Sequence, residues 1–373
     1  MAFLHPYFTI ITIALIAFSF REVYGGDYKN YKGVWVVVIA MIFFIGARDW
    51  VGVDYGAYVD IFYYWGAKLE YSDVLDKMLM RKSNLDIEWF YIVIGDIFHD
   101  FFLPFQYFTL FLAIFSLGLK YISFEQSSVY PALSMLLYMF PSYFTGDGGQ
   151  MRQGFAMGIL MFSFVFIKQR KLLLFLLMVF LAIGFHKSSA IFILAYWFAV
   201  IPFTRNQLLA LVLICVILSP FKIYNHISIL ESLAPVEIYS GFTDFAEIEG
   251  GSATAIKFPD LMCVLYMFLI YTYDKEACQR IPYYEYLRNI SVAGICIYFI
   301  FRGSPIFSSR LTYIYLIFTT MAIPNILAAL DMDRRRILHF AVIIFVVFYY
   351  FVYASMQAPR AGYSIERYNN YFL

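Results

Sequence analysis

The chain has 373 residues, 62% of them hydrophobic and 14% charged, with a formal net charge of +1. Soluble domains run at roughly 45–50% apolar and about 25% charged residues, so a water-exposed globule of this composition would lack the polar side chains to cover itself. An aromatic content of 21% excludes disorder and the missing basic excess argues against nucleic acid, which leaves a polytopic integral membrane protein.

A membrane-crossing helix needs roughly 20 mostly apolar residues. Runs of that character lie near 4–20, 33–47, 104–124, 129–145, 153–167, 171–185, 187–203, 207–219, 258–273, 286–301, 311–330 and 337–354. They predict an all-α bundle of about twelve transmembrane helices in one integral membrane domain covering 1–373. The first run lacks a basic leader segment and reads as a span. The segment 87–103 is apolar but carries Asp96, His99 and Asp100. Lys and Arg cluster in the loops 21–33, 168–171, 274–288 and 331–336, which the positive-inside rule places in the cytoplasm. All four share one face only if 87–103 does not cross. Both termini and two long loops, 48–103 and 220–257, then lie outside.

Four blocks in the outer segments carry charges that are out of place there, and ionisable residues near a membrane are functional candidates by default. The first, 46–58, holds Arg48, Asp49, Trp50, Asp54, Tyr55 and Tyr58 among three glycines, and puts Arg48 at the outer surface. Its plainer reading is a Trp/Tyr anchor at the interface with an Arg–Asp pair. The second, Gly146-Asp147-Gly148-Gly149-Gln150-Met151-Arg152-Gln153, places Arg152 where a helix begins. Helix N-termini attract anions, and an Arg there adds a forked phosphate donor. The third, Gly184-Phe185-His186-Lys187-Ser188-Ser189, offers a proton-transferring His beside a Lys, or simply a serine-capped turn. Next comes the loop 220–257, whose Glu231, Glu237, Asp244, Glu247 and Glu249 suggest a partly helical cap, with a hinge at Gly250-Gly251-Ser252. The fourth block, 301–313, supplies Arg302 and Arg310, the latter again at a helix start. Cys215, Cys263, Cys278 and Cys296 show no metal spacing. Together the cations describe an anion pocket suited to a lipid-linked pyrophosphate, with Arg48, Arg152 and Arg310 on the phosphates and Tyr55, Tyr58 and Trp50 stacking on sugars.

Arg48 with Val51-Gly52-Val53-Asp54-Tyr55 and Tyr58, then Arg152-Gln153 with Ala156, then Phe185-His186 with Ser188 or Ser189, then Arg310 with Tyr313, resembles the EpsG-type family of Wzy-like bacterial exopolysaccharide and O-antigen polymerases. Val53 departs from the threonine common in the family. The resemblance implies a GT-C-like glycosyltransferase of the inner membrane with an outward-facing site and no metal, cofactor or nucleotide sugar. It would move a glycan from undecaprenyl pyrophosphate onto a second lipid-linked repeat unit, alongside a flippase and a chain-length regulator of the same pathway. In this scheme Arg152 and Arg310 stabilise the leaving pyrophosphate, Arg48 holds a further phosphate, and Gln153, Arg302 and Lys187 add contacts. Asp54 or His186 takes the acceptor proton, and the sequence leaves both open. Glu88 and Asp96 rank lower. An O-antigen ligase or another lipid-linked-sugar transferase shares this charge pattern; a glycan transporter would instead place charges near the bilayer midplane.

Overall fold

The computed structural model describes residues 3–25, 32–66, 68–79, 81, 83–85, 87–222 and 256–373. Nearly all of the loop 220–257, with its acidic residues and glycine hinge, lies outside the described residues. The described chain is helical, and its β pairing consists of two single bridges, Leu4 with Ser364 and Arg48 with Asn370. It packs as two units, Met1–Ala190 with Leu330–Leu373, and Ile191–Ala329.

In the first unit, α1 (Pro6–Tyr24) and α2 (Lys32–Gly46) are followed by three short helices, α3 (Tyr55–Gly66), α4 (Tyr71–Met78) and α5 (Trp89–Asp100). These occupy the expected loop 48–103. At 12 residues, α5 is about 18 Å long, well short of a hydrocarbon core of about 30 Å. Then come α6 (Phe105–Ser127), α7 (Pro131–Tyr138) with its irregular continuation Met139–Asp147, α8 (Met151–Lys168) and α9 (Leu172–Ile183). After the second unit the chain returns as α16 (Met332–Met356) and the single turn α17 (Ala358–Ala361). Prolines open α1 and α7, where a missing N–H is harmless. Asp331 caps α16 by accepting from Arg334 N–H at 3.1 Å.

The centre of this unit is the packing of α6 on α8, flanked by α2 and α9. An aromatic cluster lies beside it: Phe8 is 5.2 Å from Phe144, Phe144 stacks on Tyr353 at 4.8 Å, and Phe8 meets Tyr368 at 5.0 Å. The run 129–145 is not one regular helix. Pro141 bars the α conformation at the residue before it, and Phe140 is extended at φ −124°, ψ 114°. Beyond the break the backbone closes wide turns, with Gly148 N–H on Tyr143 O at 2.9 Å and Gln150 N–H on Thr145 O at 2.7 Å.

The second unit holds α10 (Ala195–Phe198), α11 (Arg205–Leu218), α12 (Phe258–Arg280), α13 (Tyr284–Ile300), α14 (Pro305–Leu316) and α15 (Thr319–Ala329). α13 packs against α11 and α14, and α12 against α15. Buried Arg288 bonds Asp274 Oδ1 at 2.8 Å and Phe203 O at 2.8 Å, while Asn289 Nδ2 serves Ala199 O and Ile201 O at 2.9 and 2.8 Å. These donors satisfy carbonyls at the end of α10 that no further helical turn reaches. The apolar run 187–203 starts as a 3-10 helix over Lys187–Leu194 that passes directly into α10, and Tyr315 Oη donates to Ile191 O at 2.7 Å.

Among the described residues five helices are long and apolar enough to cross a membrane: Pro6–Tyr24, Phe105–Ser127, Met151–Lys168, Phe307–Ala329 and Met332–Met356; shorter apolar helices cover Gly33–Gly46, Leu172–Ile183 and Arg205–Phe221. Ile10 and Ile13 on α1, Leu173 and Leu177 on α9, and Ile344 and Phe348 on α16 point outward and exposed. Such stripes are stable against lipid, and the helical backbone satisfies its own polar groups there. The chain is a multi-pass membrane protein.

Candidate functional site

The site is built in the first unit. After α2 the chain turns at Gly46-Ala47-Arg48, where the C-terminal tail runs alongside: Tyr371 N–H bonds Ala47 O at 2.8 Å and Asp49 N–H bonds Asn369 O at 3.1 Å. Arg48 is not at the surface, as its sequence position suggested, but 1% exposed. Its Nε donates to Val51 O at 2.9 Å and its Nη1 to Ile45 O, so the guanidinium ties a carbonyl at the end of α2 to one in the following loop, while Nη2 has no partner among the described residues. Tyr55 Oη donates to Arg48 O at 3.2 Å, and its ring lies 5.6 Å from the guanidinium. Arg48 therefore works as a buried brace.

Gly52 is left-handed at φ 114°, and a Cβ there would lie 2.3 Å from Gly148 O. Backbone contact thus joins the first and second sequence blocks, and only glycine permits it. The second block is anchored by a buried ion pair. Lys120 Nζ lies 2.7 Å from Asp147 Oδ1, with Ser116 Oγ on the same oxygen at 2.6 Å and Tyr138 Oη on Oδ2. Lys120 and Asp147 side chains are 0% and 3% exposed. This pinned loop leads into α8, whose second residue is Arg152.

Arg152 meets a partner that the sequence ranked low. Glu88, at the start of α5, accepts from Arg152 Nη1 on Oε2. Its Oε1 lies 3.3 Å from His186 Nδ1 and accepts from Lys187 N–H at 3.2 Å. The His contact is within ion-pair reach but lacks hydrogen-bond alignment. The third block is held against α5 by its backbone: Phe90 and Tyr91 N–H both bond Gly184 O, at 2.9 and 3.2 Å. A Cβ on Gly184 would lie 2.7 Å from Phe90 Cβ. Tyr58 and Tyr91 flank the guanidinium of Arg152 at 5.6 and 6.0 Å.

Burial opposes the charge on Glu88, but the His186 contact and the charges of Arg152 and His186 outweigh it and hold the carboxyl down to about 2. Glu88 is thus an anion throughout the physiological range. Burial pushes the Tyr58 phenol up, against the pull of Arg152, and raises Tyr91 well above its ordinary value. Both are neutral phenols. Both ring nitrogens of His186 and Nε of Arg152 are buried without a hydrogen-bond partner among the described residues.

Tyr55 and Tyr58, expected to stack on sugars, are buried at 2% and 5% exposure and line the two arginines instead. Trp50 is exposed. Asp54 is half-buried just before α3, with no hydrogen bond or ion pair on its carboxylate among the described residues. Gln153 is buried on α8, and Lys187 points its side chain to the exterior. In the second unit, Arg302 is paired with a carboxylate rather than left for a phosphate. It forks onto Asp260 at 2.8 and 2.7 Å, and Tyr298 Oη shares that carboxylate at 2.7 Å. Arg310 is half-buried on α14.

Arg152, Glu88 and His186 thus form one constellation: a forked cation, a carboxylate bridging it, and an imidazole. The sequence ranked Glu88 below Asp54 and His186; its position immediately before the apolar run of α5 was the available signal. Neither the curated proteins nor the solved structures contain a match to this chain. The family model for the EpsG family matches residues 34–371, and the chain belongs to that family.

Proposed function

We propose that this polysaccharide polymerase-like membrane protein transfers a glycan from a polyprenyl pyrophosphate, undecaprenyl pyrophosphate, onto a second lipid-linked repeat unit at the outer face of the inner membrane. The observation that carries the reading is Arg152 at the start of α8, joined through Glu88 to His186. The acceptor hydroxyl oxygen bonds to the anomeric carbon of the donor, whose bond to pyrophosphate breaks with inversion. Arg152 meets the negative charge as the pyrophosphate departs. The hydroxyl proton passes to His186 or Asp54. Arg48 is assigned no phosphate in this reading, since its Nε and Nη1 already donate to the carbonyls of Val51 and Ile45, and Arg302 is paired with Asp260. Arg310 remains a phosphate-binding candidate of the second unit. The proposal invokes no metal and no nucleotide.

The test is glycan analysis of a deletion strain complemented with wild type or Arg152→Ala, with expression checked in parallel. Loss of long chains, with single repeat units retained on the lipid, supports the transfer and places Arg152 in it. Full-length polymer still attached to the carrier lipid indicates a ligase, and units trapped on the cytoplasmic face indicate a flippase. Either outcome overturns the proposal.

A further inference from the structure

We propose that Glu88 is a positioning residue that selects His186 over Asp54 as the base, by holding Nδ1 of the imidazole and leaving Nε2 free to take the acceptor proton. The inference rests on the transferase reading and deepens it.

Three observations carry it. First, Glu88 Oε1 is 3.3 Å from His186 Nδ1. A carboxylate at one ring nitrogen fixes the tautomer with its proton there, so the other nitrogen is the proton acceptor. The contact is long, but such bonds in empty sites commonly tighten once substrate is bound. Second, both ring nitrogens of His186 and Nε of Arg152 are buried without a hydrogen bond among the described residues, and of the two ring nitrogens only Nδ1 has the Glu88 carboxylate within ion-pair reach. Buried polar atoms are normally paired, so the orphaned Nε2 and the orphaned Nε point to a ligand that supplies the missing groups. Third, among the described residues no hydrogen bond or ion pair orients the Asp54 carboxylate. The charged group in contact with His186 is Glu88, with Lys187 next in the chain; Glu88 in turn meets Arg152, which Tyr58 and Tyr91 flank, and Asp54 and Glu88 both act on Tyr58.

The arrangement links base strength to occupancy. A phosphate that takes the fork of Arg152 displaces Oε2 of Glu88 from it. The carboxylate charge is then left to His186, whose imidazolium, formed as the proton arrives on Nε2, it stabilises. The empty site holds its base in check and the loaded site releases it.

The experiment uses the full chain in lipid nanodiscs, with lipid-linked repeat units extracted from a deletion strain as substrate. The pH profile of kcat/KM is measured for wild type, Glu88→Gln and Glu88→Asp. In wild type the rate rises as the base loses its proton. In Glu88→Gln the neighbouring charge is gone, the imidazole holds its proton less tightly, and the rising limb moves down by about one pH unit. The plateau falls about 10- to 100-fold as the base weakens and loses orientation. Glu88→Asp restores the limb in part. A purely structural Glu88 lowers the amount of folded protein without moving the limb. An unmoved limb in folded Glu88→Gln overturns the inference, as does a limb that survives His186→Gln but disappears in Asp54→Asn. Exchange of the imidazole C2 proton, followed by mass spectrometry without substrate, reads the titration of His186 independently. A downward shift there without any polymer from wild type would sink the transferase reading alone. Polymer formation without that shift would sink the role of Glu88 alone.

Discussion

Lys120→Met isolates the device that fixes the loop before Arg152. The ammonium is fully buried, 2.7 Å from Asp147 Oδ1 and 2.8 Å from Ser116 Oγ. Methionine fills nearly the same volume, so little cavity is created. The substitution removes charge compensation from a carboxylate that is 3% exposed and keeps only the hydroxyls of Ser116 and Tyr138. Breaking a buried pair from one side costs about 3–5 kcal/mol, because the remaining charge is stranded. At about 2–4 °C per kcal/mol for a large domain, the melting temperature should fall by about 6–20 °C. Asp147→Asn should do comparable damage by stranding Lys120. The double variant Lys120→Met/Asp147→Asn carries no stranded charge, and an amide still bonds the two hydroxyls. It should recover most of the loss, giving a coupling of about 2 kcal/mol or more in a double-mutant cycle. Heating detergent-solubilised protein and following the monodisperse peak by size exclusion measures all four forms. A single variant within about 1 kcal/mol of wild type, or a double variant no better than the worse single, would refute the reasoning.

Arg152→Lys should lower polymer formation about 100-fold, nearly as far as Arg152→Ala, since an ammonium cannot reproduce the planar fork; full activity in quantitative glycan electrophoresis removes that argument. Gly52→Ala should cost about 2–4 kcal/mol in the same heating assay, because it combines a φ of 114° with a Cβ 2.3 Å from Gly148 O. The carboxyl of Glu88 is held down from 4.5 to about 2, so its contribution is complete above about pH 4.5 and is lost as pH falls toward 2. Wild type should therefore lose up to about 3 kcal/mol more than Glu88→Gln over that window, and equal acid sensitivity of the two contradicts the pairing. Val53 is 75% exposed in the first block. A single cysteine there, in a chain without the native four, should react in intact cells with a membrane-impermeant thiol reagent; reaction only after the inner membrane is permeabilised denies the outward-facing site.

What the sequence could and could not reveal follows from the range of the forces involved. Apolar runs announced helices because a backbone in lipid must satisfy itself locally, and that rule needs no knowledge of distant partners. The pre-proline break at Phe140 is local too, and was readable in principle. The position of Arg152 at the head of α8 came from the glycine loop before it. The fate of each cation is a different matter, since it depends on partners far along the chain. The loop at Arg48 is braced by residues 369–371 of the C-terminal tail, Arg302 meets Asp260 from 42 residues away, and Arg152 meets Glu88 from 64 residues away. The four blocks therefore looked alike in the sequence and separate in the fold. Arg48 gives Nε and Nη1 to carbonyls, whose bonds involve no titrating group, and its Nη2 is buried without a partner among the described residues. Arg302 forms a closed pair with one carboxylate and one phenol. Arg152 shares its carboxylate with an imidazole, so binding an anion at the arginine changes the field at a group able to move a proton. That difference in partners, rather than the charges themselves, is why the proposed reading puts its chemistry on the second and third blocks and uses the first block as a frame.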